Sequence, residues 1–227
     1  MLLVSIPVAL TVLMGRVTAA AACNPGRTKD GNYYYDGFGA SGLGTIGGTY
    51  ATVLASSPYT NGDETVMYVK IYDNSSGDAA LMEWEKTTGN PYEYAFWHDT
   101  ANCGSGPCGY AIGSPSVGAH NTYTVLFNNC ASNKVNFEEN GSGVGPCQAV
   151  DFTPNAASSG GGIYTLANQM PGGTSTKETI TGAEEYSNGT WHSYMNNAVH
   201  NTNGSSYFGY DVPTNYNADI WDLSCSS

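Results

Sequence analysis

The sequence predicts an all-β fold: two antiparallel sheets packed face to face as a disulfide-stapled β-sandwich. Three observations predict it. Period-two alternation recurs in short runs, as in Glu64–Tyr72, where Met67, Val69 and Ile71 alternate with Val66, Tyr68, Lys70 and Tyr72. Turn residues separate these runs, and almost no segment repeats apolar residues at helical spacing. The composition is polar but weakly charged, with 29 glycines, 17 tyrosines and 11% charged residues, which suits half-buried strands joined by tight turns.

In chain order, residues 1–22 are expected to lie outside the fold. Leu2–Met14 is apolar but too short to span a bilayer. The small residues Thr18–Ala22 follow it and offer an A-x-A-like cleavage site, so the segment reads as a secretory signal peptide. A lipoprotein reading would put a lipid on Cys23, but Ala20 stands where a large aliphatic residue is usual. One β-sandwich domain, 23–227, is expected to follow, secreted and extracellular.

Strands are expected at Glu64–Tyr72, at two runs flanking Thr87–Pro91, and at Asn121–Phe127, Lys134–Glu139, Cys147–Phe152, Ile163–Ala167, Ser206–Val212 and Ala218–Leu223. Gly31–Gly48 and Ser158–Gly162 read as glycine-rich connections, and Gly189–His200 fits either a weak helix or a strand. Met67, Val69, Ile71, Val125, Phe127, Val135 and Phe137 form the expected core.

After signal cleavage six cysteines remain, an even count that in a secreted chain reads as disulfides. The expected pairs are Cys103–Cys108 closing a small loop, Cys130–Cys147 tying neighbouring strands, and Cys23–Cys225 joining the termini. No C-x₂-C pair supports zinc, so no metal is expected.

The net charge of −12, with seven basic residues, argues against nucleic acid and anionic membranes as partners. No membrane association is expected once the signal is removed, and the protein reads as an acidic monomer. Gly42–Gly47 matches G-x-G-x-x-G, but the β-branched run after it is not a helix, so no nucleotide cofactor is expected. Asp73–Asp78 reads as a solvated turn, since it lacks the ligand spacing of a calcium loop. Asn74, Asn140, Asn188 and Asn203 head N-x-S/T sequons. Neither G-x-S-x-G nor H-E-x-x-H occurs.

Residues 79–99, AALMEWEKTTGNPYEYAFWHD, concentrate the chemistry. They read as a β-hairpin with a loop of about five residues. A symmetric loop would set Glu85 opposite Glu93, Glu83 opposite Ala95 and Leu81 opposite Trp97. Like charges facing one another destabilise a strand pair. Such a cluster is either a hydrated acidic surface or a site where one acid keeps its proton while a partner stays ionised, which suits hydrolysis. Glu83 and Glu85 are the candidate catalytic residues, with Tyr68, Glu93, Trp97 and Gln169 as candidate substrate contacts. The alternative is a non-catalytic module binding carbohydrate or cell wall through aromatic side chains.

The order of GDAALMEWEK, YEYAFWHD, GPCGY, AHNTYTVLF, CQAVDFTPNAASSGGGIYT, NQMPGG and NGTWH, roughly over residues 64–192, resembles the neprosin-like and glutamic-peptidase group of secreted β-sandwich proteins. The resemblance implies two antiparallel sheets of about seven strands, in the concanavalin-like manner, with a cleft on one concave face. It also implies acid-active endopeptidase chemistry, in which a glutamate or a glutamine–glutamate pair activates water on a protein or peptide substrate. The first catalytic position would fall within Leu81–Glu83, where Glu83 alone has the chemistry. The second would fall at Gly161 or Gly162, which cannot move a proton. By this resemblance the chain would have kept the sandwich and lost the acid pair.

Overall fold

The computed structural model describes residues 19, 21–98, 103–104, 106–194, 198–203 and 206–226. The expected signal segment lies almost wholly outside them. Among the described residues fifteen strands run in order: β1 (Tyr34–Ser41), β2 (Ile46–Leu54), β3 (Thr65–Tyr72), β4 (Ala79–Lys86), β5 (Tyr92–His98), β6 (Cys108–Gly113), β7 (His120–Phe127), β8 (Lys134–Glu139), β9 (Ser142–Ala149), β10 (Ala156–Ile163), β11 (Glu178–Ser187), β12 (Thr190–Ser193), β13 (Ala198–Asn203), β14 (Phe208–Thr214) and β15 (Asn217–Asp222). They build two antiparallel sheets. The seven-stranded sheet is ordered β13-β1-β10-β3-β4-β5-β6, and the eight-stranded sheet β14-β15-β11-β2-β7-β8-β9, with β12 paired to β11. This is the two-sheet sandwich that the alternation predicts.

The core lies between the sheets. Met67, Val69 and Ile71 of β3, Met82 and Trp84 of β4, Val125 of β7 and Val135 and Phe137 of β8 are all buried in it. Burial of such side chains contributes roughly 1.5–3 kcal/mol each. Alternation then forces the other row of each strand outward.

Three sequence expectations need correction. First, the β4–β5 register is one residue away from the symmetric one. Glu85 pairs with Tyr92, Glu83 with Tyr94, Leu81 with Phe96, and Trp84 with Glu93. One step of register moves a whole side-chain row to the other face. Here it brings Trp84, Met82, Ala80, Ala95 and Trp97 together in the core, so burial of aromatic surface decides the register. Second, Ser158–Gly162 is not a connection. It is the middle of β10, an interior strand between β1 and β3. A Cβ on Gly160 would fall 2.5 Å from the Asp36 carbonyl oxygen and 2.8 Å from the Tyr68 hydroxyl, so glycine is what the packing there admits. Third, element bounds move. Gly31–Gly48 holds β1 and the start of β2, and the described part of Gly189–His200 holds β12 and the start of β13. Cys147–Phe152 overlaps only the end of β9, and Ile163–Ala167 is not a strand, since β10 ends at Ile163 and bends and turns follow.

The three disulfides are Cys23–Cys225, Cys103–Cys108 and Cys130–Cys147, as expected. The first consumes the Cys23 sulfur, which leaves no thiol there for a lipid. Arg27 fastens the same end of the chain. It makes an ion pair with buried Asp222, donates to the carbonyl oxygens of Leu166 and Asn168, and lies over the rings of Tyr207 and Phe208.

Candidate functional site

The outer face of the seven-stranded sheet carries the candidate site, and cross-strand pairing builds it. Along β3 the outward row is Val66, Tyr68, Lys70 and Tyr72. On one side, β4 sets Glu85 opposite Val66, Glu83 opposite Tyr68, and Leu81 opposite Lys70. On the other side, β10 sets Gly162, Gly160 and Ser158 opposite the same three residues. Further out, β5 contributes Tyr92 opposite Glu85, Tyr94 opposite Glu83, and Phe96. The Tyr94 and Phe96 rings stack 5.2 Å apart.

Missing side chains on β10 leave room that tyrosines fill. A Cβ on Gly162 would fall 2.5 Å from the Tyr33 hydroxyl and 2.8 Å from its ring. Tyr33 packs in turn on Tyr164, 4.7 Å between ring centroids, and on Tyr35 at 5.5 Å. Glu83 and Glu85 are half-buried among these rings, not held out in bulk water.

Burial sets the electrostatics. It raises the Glu83 carboxyl well above the ordinary range; the neighbouring Glu85 and Glu64 raise it further, and Lys70 pulls it back. Burial and Glu64 push Glu85 up to about 7. Tyr164, pushed up to about 12 mainly by burial, senses all three acids. The two glutamates thus differ in proton affinity. Burial holds Glu83 toward its protonated form, while Glu85 exchanges its proton near neutral pH, the kind of pairing that a general acid and a general base require.

Of the sequence-predicted residues, the structure brings Glu83, Glu85 and Tyr68 together on this face. Three others point elsewhere. Glu93 is buried between the sheets, where its Oε1 accepts from the Asn121 amide at 2.8 Å and the Tyr123 hydroxyl at 2.7 Å. Trp97 packs in the core near Tyr110 and Phe137. The shifted β4–β5 register puts both there. Gln169 is fully buried; its Oε1 accepts from the backbone N–H groups of Cys23 and Tyr59, each at 2.8 Å. Its amide therefore ties the N-terminal segment to the sandwich and is not free to contact substrate. Gly161 and Gly162 hold no hidden acid either: Gly161 faces Ile220 and Met67 in the core, and Gly162 lies beneath Tyr33.

Sequence reasoning missed Lys70, Glu64, Tyr33 and Tyr164. Lys70 alternates with the core residues of β3, so the period-two pattern carried its signal. Glu64 shares that parity in the run Glu64–Tyr72, whereas nothing local marks Tyr33 and Tyr164, which reach the face through tertiary packing. Among the described residues, no group of three His, Cys, Asp or Glu is placed to hold a metal ion.

No family model matches this chain, and no curated protein matches it in sequence. Solved structures do match its fold. Scytalido-glutamic peptidase, solved with a peptide-based transition-state analogue, superposes with a TM-score of 0.62 at 11% identity, over 86% of this chain and 100% of that one. A second structure of that peptidase with a transition-state analogue inhibitor gives 0.64 at 12% identity over the same shares. SCP-B, a member of the eqolisin family of peptidases in complex with the tripeptide Ala-Ile-His, gives 0.60 at 10%. At these identities the similarity establishes a glutamic-peptidase-like β-sandwich and nothing finer.

Proposed function

We propose that this protein is an extracellular endopeptidase whose outer-face groove on the seven-stranded sheet binds an extended polypeptide, with Glu83 and Glu85 as the acid–base pair. The observation that carries the reading is the unequal pair itself: two carboxyls two residues apart on one strand face, half-buried among tyrosines. In the reaction, the Glu85 carboxylate takes a proton from water as the water oxygen adds to the peptide carbonyl carbon. Glu83 then gives its proton to the leaving nitrogen as the C–N bond breaks. Structural neighbours of the fold include one peptidase solved with a peptide-based transition-state analogue and another with a tripeptide, which supports a polypeptide substrate. The three disulfides support an oxidising, extracellular setting.

The pair differs from the dyad implied by the sequence resemblance. Both acids lie on β4, and the β10 positions are glycines. The raised carboxyl of Glu85 also moves the working range from acid toward neutral pH, because a general base must be ionised. The test is digestion of a denatured, reduced protein between pH 3 and 9, read by mass spectrometry. Cleavage that is lost in Glu83→Gln and in Glu85→Gln supports the assignment. Absent cleavage, or cleavage unchanged in both variants, rejects it. A polysaccharide pull-down run alongside tests the glycan-binding alternative, which draws on the same aromatic face.

A further inference from the structure

Lys70 stands two positions along β3 from Tyr68, on the side away from Val66, the residue opposite Glu85. Its ammonium lies 5.2 Å from the centre of the Tyr68 ring and 4.7 Å from that of Tyr72. With Tyr33, Tyr35, Tyr68, Tyr72 and Asn74 it lines a cavity of about 280 Å³. Four other cations are already engaged: Arg27 with Asp222, Lys29 with Asp63, Lys177 with Asp219, and Lys86 with the Pro58 carbonyl. Lys134 has no ion pair among the described residues but does not line this cavity. Among the described residues Lys70 has no ion pair. Burial lowers its proton affinity, with Glu83 acting against that. A partly desolvated cation facing a cavity gains most from an anion that enters it.

We propose that the Lys70 cavity is a subsite for a carboxylate of the polypeptide substrate, either an Asp or Glu side chain or a free C-terminus, so that the groove selects acidic peptides. The proposal rests on the endopeptidase reading. One ammonium, tyrosine hydroxyls and one amide match a single negative charge; a phosphate dianion would call for more cations. The spacing also fits. Two residues along a strand and one strand across separate the backbones of Lys70 and Glu83 by roughly 8 Å, which an extended peptide covers in two to three residues.

The test uses the full disulfide-bonded protein and matched fluorescent peptides. These carry Glu, Gln or Lys at each of the three positions flanking the cleaved bond, or end in a free acid or an amide. Wild type is expected to prefer Glu over Gln by at least tenfold in kcat/KM at one position, or free acid over amide. The arm that responds identifies the source of the carboxylate. In Lys70→Met the preference collapses to about one, in Lys70→Arg it persists, and in Lys70→Glu it turns toward the Lys peptide. This gain of preference cannot come from misfolding. If no peptide is cleaved, the endopeptidase reading fails, and fluorescence anisotropy of the labelled acidic and neutral peptides decides the subsite alone. Selective binding by wild type that Lys70→Met loses supports it. Equal affinity for acidic and neutral peptides, or an unchanged preference in Lys70→Glu, overturns it.

Discussion

Glu83 stands directly opposite Tyr68 across the β3–β4 ladder, and Tyr68 in turn stands opposite Gly160 of β10. An acid, a phenol and a bare backbone thus lie side by side across three strands. The absent side chain at Gly160 lets the Tyr68 hydroxyl settle over β10. The tyrosines crowded over this region withdraw Glu83 from water, and this burial raises its proton affinity.

The first prediction concerns pH. The reaction needs Glu85 ionised and Glu83 protonated. Activity is expected to rise as pH climbs through about 7, where Glu85 loses its proton, and to fall at the higher pH where Glu83 loses its own. A profile of kcat/KM against pH checks this. Glu64→Gln removes a neighbouring negative charge and is expected to move the rising limb to lower pH.

Stability is expected to fall as pH rises from about 4 to 8. Glu178 is fully buried, and burial pushes its carboxyl up to about 8 against a smaller downward pull from the Ser56 hydroxyl. Asp36 is likewise buried and is pushed up to about 7. Across that window the folded protein keeps protons that the unfolded chain has released, so each unit of pH costs stability. Below the ordinary carboxyl value the contribution is complete; above about 8 it is gone. Denaturant unfolding is expected to show a loss on the order of 5 kcal/mol for Glu178, and Glu178→Gln should remove most of that slope.

Glu93→Ala is expected to destabilise the fold rather than weaken substrate binding. It leaves the buried Asn121 amide and Tyr123 hydroxyl without their shared acceptor. The expected cost is about 2–4 kcal/mol, read as a lower denaturation midpoint. An unchanged midpoint with a raised KM would return Glu93 to the substrate face.

Cys23→Ser paired with Cys225→Ser opens a loop of 202 residues in sequence. Loop-closure entropy in the unfolded chain predicts a loss of about 4–5 kcal/mol. The N-terminal strap should loosen first, visible as faster amide exchange around Gln169, whose side chain holds the Cys23 and Tyr59 backbones.

Much of the fold was legible in the sequence. The alternation of Met67, Val69 and Ile71 identified β3 and its buried face, and Lys134–Glu139 is β8 residue for residue. All three cysteine pairs were as expected. The failures share a cause. Ser158–Gly162 has no β-branched or aromatic side chain, so no local preference marks β10; its neighbours on both sides impose the strand. The hairpin register turned on where Trp84 and Trp97 are buried, a tertiary contest that a symmetric-loop rule cannot settle. The site divides the same way. Glu83 and Glu85 were legible from their shared parity on one strand, whereas Glu93 and Gln169 looked like site residues only because their buried hydrogen-bond partners are distant in sequence.

One assay bears most directly on the catalytic pair: mass-spectrometric detection of peptide-bond cleavage at pH 7 by wild type and by folded Glu85→Gln. Cleavage by wild type with at least a hundredfold lower rate in Glu85→Gln is the predicted result. Equal cleavage by the two, or none by wild type at any pH from 3 to 9, would contradict it.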